Sequence, residues 1–188
     1  MPSTPSSMLA LGTPAPAFTL PDVVSGRTVS LEQYAGMRGL LVMFLCAHCP
    51  FVKHVEPELA KIGHDYAVQG LGIVGISSND AASYPEDAPA GLREQAQRNR
   101  FTFHYLYDET QEVAQAYRAA CTPDFFLFDA NLKLAYRGQL DGSRPSNNVP
   151  VDGRDLRAAI DAVMTGKPVP PEQHPSVGCG IKWKKVMA

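Results

Sequence analysis

Two cysteines with a histidine between them are the residues of this sequence best suited to do chemistry. Cys46 and Cys49 form a C-x-x-C motif, and His48 is its third residue. This spacing allows a disulfide between the two thiols, and it also occurs in zinc sites. A continuous apolar run, LLVMFL, ends at Leu45, and a helical pattern follows the motif. A C-x-x-C at such a strand–helix junction favours redox chemistry over metal binding.

The predicted position of the motif suggests how its thiols would be activated. Free N–H groups and the positive end of the helix dipole should face Cys46 and stabilise its thiolate, which is the nucleophilic form. We therefore predict that Cys46 attacks and that Cys49 resolves the resulting mixed disulfide. A protonated His48 would stabilise the thiolate further, which would raise the reduction potential of the pair and make it more oxidising. The alternative for His48 is an exposed side chain with no role.

Composition excludes several other classes of protein. The chain has 188 residues, enough for one domain with its own core, and its formal net charge is −2. That balance argues against nucleic-acid binding, and no apolar run approaches the roughly 20 residues of a membrane span. Four cysteines are too few for a disulfide scaffold. The N-terminus lacks a basic start and a long apolar stretch, so we expect a cytoplasmic protein without a secretory signal.

The hydrophobic patterning predicts an α/β fold with a mixed central β-sheet flanked by helices. Residues 1–11 are predicted to be irregular, residues 12–165 to form the domain with an N-terminal β-hairpin, and residues 166–188 to form a tail packed on it. Residues 77–91 are predicted to be a long surface loop, a type of segment that is often functional. The predicted strands are 18–20, 28–31, 40–45, 71–76, 103–107, 125–129 and 132–137. The predicted helices are 51–68, with a kink at Pro57, then 91–100, 110–119 and 155–164.

The motif and its surroundings resemble the thioredoxin superfamily over about residues 12–165. The resemblance rests on the C-x-x-C at the junction and on Thr122-Pro123, which opens a later strand. Three segments resemble peroxiredoxin-like (AhpC/TSA-type) bacterial proteins within that superfamily: GTPAPAFTLPD from Gly12, CTPDFFLFD from Cys121 and GCGIKWK from Gly178. The resemblance implies a thioredoxin-like fold, a cis peptide bond at Pro123, and a substrate backbone paired with Thr122.

The resemblance leaves two redox activities open. The first is thiol–disulfide exchange with protein or small-molecule thiols and disulfides, supported by a thioredoxin- or glutathione-type reductant. The second is a thiol peroxidase, in which peroxide oxidises Cys46 to a sulfenic acid that Cys49 or Cys179 resolves. Peroxidatic cysteines of that family usually follow the pattern P-x-x-x-T-x-x-C. Here Gly39 and Met43 occupy the Pro and Thr positions before Cys46, so the usual threonine hydroxyl is missing.

The other two cysteines and a metal site remain alternatives. Cys121 either approaches the dithiol or is a small buried residue. Cys179, between two glycines, is either a further redox thiol or an inert thiol packed with Trp183. A metal could use Cys46, His48 and Cys49 with His54 or His174, which would make the chain a metal-binding module. No second C-x-x-C or H-x-x-x-H supports that site, so we predict neither a bound metal nor a cofactor.

Overall fold

The structure, a computed structural model, describes residues 2–186. Its strands in chain order are β1 Ser3–Pro5, β2 Thr19–Pro21, β3 Thr28–Ser30, β4 Gly39–Phe44, β5 Leu71–Ser77, β6 His104–Tyr107, β7 Cys121–Thr122, β8 Asp124–Phe128, β9 Leu134–Tyr136 and β10 Val177–Gly180. Its helices are α1 Pro50–Ala67, α2 Pro89–Asn99, α3 Glu112–Ala116 and α4 Arg154–Met164. Two 3₁₀ turns cover Leu31–Tyr34 and Pro85–Asp87.

A five-stranded mixed sheet forms the centre of the molecule, as the patterning predicted. Its strand order is β6-β5-β4-β8-β9. β4, β5 and β6 run parallel to one another, β8 pairs antiparallel with β4, and β9 pairs antiparallel with β8. Every residue of β4 is buried. A central strand covered on both faces requires such a continuous apolar run, which explains why LLVMFL carries no alternation. The strand therefore delivers the motif that follows it to one edge of a rigid, packed layer.

The N-terminal hairpin is also confirmed. β2 and β3 pair antiparallel, with Thr19 opposite Ser30. Asp22 forms an isolated bridge with Leu106 of β6, and this bridge attaches the hairpin to the edge of the central sheet. The hairpin lies away from the dithiol, so its contribution to the site is structural.

A second sheet joins the two ends of the chain, which the sequence did not predict. β10 pairs antiparallel with β1 on one side and with β7 on the other, giving the order β1-β10-β7. We call these three strands the small sheet. Residues 3–5, expected to be irregular, form β1. That strand is only three residues long and ends in Pro5, so it gives no periodic signal.

The helices begin and end close to the predicted positions, with two differences. α1 continues without interruption through Pro57. α3 is shorter than the predicted 110–119, because Gln111 and Arg118 have left-handed backbone angles, with φ of 68° and 52°. Residues in that region do not continue a right-handed helix. Within residues 2–186, no helix combines the length and apolar character that crossing a membrane would require.

Candidate redox site

The C-x-x-C motif lies at the junction of β4 and α1, as predicted. β4 ends at Phe44, and Cys49 is the residue that caps α1, whose first helical residue is Pro50. Proline is well suited to that position because the first N–H groups of a helix have no partner within the helix. Both Cys46 and Cys49 are completely buried, and both are free thiols in this structure.

The Thr122-Pro123 segment lies directly against the motif. The peptide bond between these residues is cis, in agreement with the expectation drawn from the resemblance. The Thr122 hydroxyl lies 3.2 Å from Cys46 Sγ, within hydrogen-bonding distance for sulfur. The sequence predicted a role for the Thr122 backbone, whereas this contact uses its side chain.

The two thiols differ in proton affinity, in the opposite sense to the sequence-based expectation. Burial, then the interaction with Cys49, then the negative charge of Asp87 raise the pKa of the Cys46 thiol. A hydrogen bond from the Cys46 thiol lowers the pKa of Cys49 to about 5, assisted by the Cys179 thiol and by the backbone N–H of Val52.

The Asp87 carboxylate accepts hydrogen bonds from the N–H groups that were expected to face Cys46. Its buried carboxylate accepts hydrogen bonds from the backbone N–H of Ala47 at 2.7 Å and of His48 at 3.1 Å, and from the Asn79 amide at 2.9 Å. These bonds and the one from His48 outweigh burial and lower the pKa of Asp87. Sequence analysis did not select Asp87, although it predicted that residues 77–91, which include Asp87, form a long loop of a type that is often functional.

His48 is held between Asp87 and an aromatic ring. Its Nδ1 hydrogen-bonds to the Asp87 carboxylate, and its ring stacks on Tyr84 with centroids 4.6 Å apart. The side chain is only 9% exposed, so it is not the exposed bystander considered above. Its Nε2 has no hydrogen-bond partner among the described residues. The amino group of Lys182 lies 5.6 Å from the Tyr84 ring centroid, so a cation lies close to the stacked rings.

The remaining cysteines occupy different positions relative to the dithiol. Cys179, on β10, has its Sγ 2.6 Å from Cys49 Sγ, and Trp183 is 44% exposed. Cys121, on β7, is also buried, and its thiol points to the Pro123 carbonyl at 3.6 Å. Burial is the main cause that raises the pKa of Cys121. Of the two, only Cys179 is placed to exchange sulfur bonds with the motif directly.

A buried polar network supports the motif from the side of α2. The Gln95 amide nitrogen donates to the Cys46 carbonyl and to the Glu56 carboxylate, both at 2.9 Å. Its amide oxygen accepts from the Tyr105 hydroxyl at 2.8 Å. The Gln95 side chain thus has partners for both its amide nitrogen and its amide oxygen, and its bond to the Cys46 carbonyl helps to fix the backbone at the end of β4.

One group of side chains could hold a metal ion. The ligand atoms of Cys46, His48 and Asp87 lie within 4.8 Å of one another. Thiolate, imidazole and carboxylate groups are all ligands that zinc accepts. His174, one of the predicted fourth ligands, lies elsewhere, where its carbonyl accepts a hydrogen bond from the backbone of Gln139.

Solved structures share this architecture. A protein of Geobacillus kaustophilus described as an uncharacterized conserved protein has 52% identity and a TM-score of 0.97, covering 100% of this chain and 99% of its own. The thioredoxin domain of a thiol-disulfide oxidoreductase from Bacteroides vulgatus has 21% identity and a TM-score of 0.61, covering 80% of this chain and 97% of its own. The second match concerns the fold alone, and it confirms the thioredoxin-like architecture.

Curated relatives are redox proteins by name. A Mycobacterium tuberculosis protein named "Putative peroxiredoxin" is 33% identical over 116 residues, or 62% of this chain and 68% of the relative. ResA of Geobacillus thermodenitrificans, named as a thiol-disulfide oxidoreductase, is 27% identical over 131 residues, 70% of each chain. The model of the AhpC/TSA family matches residues 11–137, which include β4, the motif and the cis-proline segment. With the fold, the paired thiols and this match in agreement, the chain is a member of the AhpC/TSA family.

Proposed function

We propose that this protein is a thiol–disulfide oxidoreductase in which Cys46 and Cys49 alternate between a dithiol and a disulfide. The observation that carries the proposal is the placement of the C-x-x-C motif at the start of α1, with both cysteines buried and the Thr122 hydroxyl 3.2 Å from Cys46 Sγ. The pKa of Cys46 is raised and that of Cys49 is lowered, which favours a thiolate beside a thiol that remains protonated. A redox dithiol needs this combination, because the thiolate attacks and the neighbouring thiol completes the exchange.

Substrate access shifts the charge between the two sulfurs. Burial is the largest cause of the raised pKa of Cys46, and the Cys179 thiol is one of the groups that lower the pKa of Cys49. Displacing β10 would expose Cys46 to water and remove Cys179 from Cys49. Both changes favour the thiolate of Cys46, so we assign Cys46 as the attacking thiol once a substrate reaches the site.

The reaction then has two steps. The Cys46 thiolate attacks a substrate disulfide, forming a Cys46–substrate bond while one substrate sulfur leaves as a thiolate. Cys49 next attacks the Cys46 sulfur, and the second substrate sulfur leaves. The substrate gains two electrons, and the protein holds a Cys46–Cys49 disulfide that a thioredoxin- or glutathione-type thiol reduces. The hydroxyl of Thr122, 3.2 Å from Cys46 Sγ, can stabilise the thiolate by donating to it.

Insulin reduction with dithiothreitol as electron donor tests this assignment. We expect Cys46→Ser to reduce insulin no faster than the uncatalysed background, and Cys49→Ser to accumulate a mixed disulfide with the substrate. Cys121→Ser is the matched control, because it removes a buried thiol that contacts the Pro123 carbonyl and has no hydrogen bond to Cys46 or Cys49, and it should keep its activity. Wild-type rates in Cys46→Ser would contradict the proposal.

A thiol peroxidase is the second candidate, and the Thr122 hydroxyl favours it. The threonine expected three residues before a peroxidatic cysteine is absent, but Thr122 brings a hydroxyl to Cys46 from another strand. Hydrogen peroxide would convert the Cys46 thiolate to a sulfenic acid with release of hydroxide, and Cys49 would condense with it, releasing water. Stopped-flow mixing with peroxide separates the candidates: thiol loss far faster than for free cysteine supports the peroxidase, and loss at the rate of free cysteine excludes it.

A further inference from the structure

The strand β10 covers the dithiol and is fitted closely to the cis-proline segment. Cys179 pairs with Thr122 and Gly180 with Cys121 in an antiparallel register. The Ser176 hydroxyl donates to the Pro123 carbonyl at 2.7 Å. A Cβ atom at Gly178 would lie 2.0 Å from the Thr122 carbonyl oxygen, so this contact accepts only glycine. The register therefore fixes where the next residue, Cys179, presents its thiol.

That thiol faces Cys49 rather than solvent. The two Sγ atoms lie 2.6 Å apart, and Cys179 is only 3% exposed. Cys49 is thus in contact with the Cys179 thiol and is also the partner of Cys46 in the C-x-x-C motif. Cys46 and Cys179 can each form a disulfide with Cys49, so Cys49 can be the central sulfur of an exchange between them.

We propose that Cys179 is a third redox thiol, which attacks Cys49 in the Cys46–Cys49 disulfide, forms a Cys49–Cys179 disulfide and releases Cys46 as a thiolate. This inference rests on the proposed thiol–disulfide function. The exchange breaks one sulfur–sulfur bond and forms another, so it needs no added oxidant or reductant. The proton of the Cys179 thiol is given up as Cys46 leaves with the electron pair of the broken bond.

The residues around the three sulfurs favour the attack by Cys179 and the departure of Cys46. The Thr122 hydroxyl is positioned to donate to the leaving Cys46 thiolate. Burial, the hydrogen bond with Cys49 and the charge on Cys49 raise the pKa of Cys179 to about 12, whereas the positive charge of Lys182 lowers it. The charge on Cys49 disappears when Cys49 is bonded in a disulfide, so this cause of the raised pKa is absent at the moment of attack.

After the exchange, the cysteines that hold the disulfide would differ from the cysteine that attacks the substrate. With a Cys49–Cys179 disulfide in place, the protein remains oxidised while Cys46 is a free thiol again. The same bond would join β10 covalently to the start of α1. Cys46 could then capture a further disulfide substrate before the stored pair is reduced.

Disulfide mapping of the full-length Cys46→Ser variant tests the inference. After reduction, the variant is treated with glutathione disulfide, quenched with N-ethylmaleimide and digested with trypsin. Cys49, Cys121 and Cys179 then lie in the separate peptides 39–53, 119–133 and 158–182. We expect the Cys49 thiolate to take up glutathione and Cys179 to displace it, which yields a linked pair of peptides, 39–53 with 158–182.

Matched variants decide the result. Cys46→Ser/Cys121→Ser should retain the linked peptides, and Cys46→Ser/Cys179→Ser should lose them and keep glutathione on Cys49. If Cys46→Ser also keeps glutathione on Cys49, the inference is wrong. If that occurs while the wild-type protein forms the Cys46–Cys49 disulfide and reduces insulin, the proposed function stands and only the role of Cys179 fails. If the wild-type protein does neither, both fail.

Discussion

The His48 imidazole is hydrogen-bonded through Nδ1 to the Asp87 carboxylate, which also accepts the backbone N–H of His48 itself. The Asp87 carboxylate therefore links the His48 side chain to the backbone that follows Cys46. Asp87 raises the pKa of the Cys46 thiol, whereas a protonated imidazole would favour the thiolate. Removing Asp87 should favour the Cys46 thiolate and removing His48 should disfavour it, which gives two complementary experiments.

Asp87→Asn should make Cys46 more reactive at neutral pH. The substitution removes the negative charge that disfavours the Cys46 thiolate, and an asparagine oxygen can still accept the backbone N–H groups. A decrease of about one pKa unit corresponds to about tenfold more thiolate. The measurement is the pH dependence of iodoacetamide labelling of Cys46, followed by mass spectrometry. Glu86→Gln is the control, because Glu86 is a neighbouring carboxylate with a 68% exposed side chain. Unchanged labelling in Asp87→Asn would show that the carboxylate does not control this thiol.

His48→Ala should make the dithiol less oxidising. Without the imidazole, the Asp87 charge is no longer balanced, so the reduced form, which carries a thiolate, becomes less stable relative to the disulfide. A loss equivalent to one pKa unit lowers the reduction potential by about 30 mV. Equilibration with glutathione buffers measures the potential, and His64→Ala, an exposed position at the end of α1, serves as control. A potential equal to that of the wild type would refute the role of His48.

Gly178→Ala should make the dithiol more accessible to reagents in solution. The new Cβ would lie 2.0 Å from the Thr122 oxygen and 2.6 Å from its carbonyl carbon, and neither backbone atom can move cheaply. We expect β10 to shift away from β7, with a loss of stability of about 1–3 kcal/mol and a faster reaction of the dithiol with Ellman's reagent. Gly142→Ala is the matched control, since its nearest neighbour, a Val149 methyl, would be 3.8 Å away. Equal reaction rates for both variants would mean that β10 does not limit access.

Asp124→Asn should stabilise the protein at neutral pH. Burial raises the pKa of Asp124 from its usual value of 3.8 to about 6. The folded protein therefore holds this proton over a range in which the unfolded chain has lost it, so stability falls as pH rises from about 4 to 6 and is level above. The total penalty is at most about 3 kcal/mol. Urea unfolding at several pH values should show this fall in the wild type and a smaller one in Asp124→Asn. An equal fall in both proteins would assign it to other groups, and Glu109→Gln, at an exposed position, controls for general charge effects.

Local patterns predicted the parts of the site that depend on neighbouring residues. The buried run before Cys46 and the helix after Cys49 placed the motif correctly, because each element leaves its own hydrophobic signature. The positions of Asp87 and Cys179 could not be predicted in this way. Asp87 reaches the motif through hydrogen bonds to Ala47 and His48, and Cys179 reaches it through strand pairing with Thr122. Neither contact produces a periodic pattern in the sequence.

The order of the thiol pKa values was not predicted for the same reason. The predicted helix start, residue 51, lies within one residue of the observed start at Pro50, so the boundary of α1 is not the cause. The carboxylate of Asp87 adds a negative charge near Cys46, and the Cys179 thiol contacts Cys49. Both groups come from segments far from the motif in the sequence.

The pairing of β1 with β10 has a practical consequence for handling the protein. Ser3 lies opposite Cys179, so residues near both ends of the described chain meet over the redox centre. An affinity tag fused at either end would start within a few residues of that strand pair. Thiol-exchange rates should therefore be compared between tagged and tag-free protein, since a fusion partner there would alter the accessibility of the sulfur atoms under study.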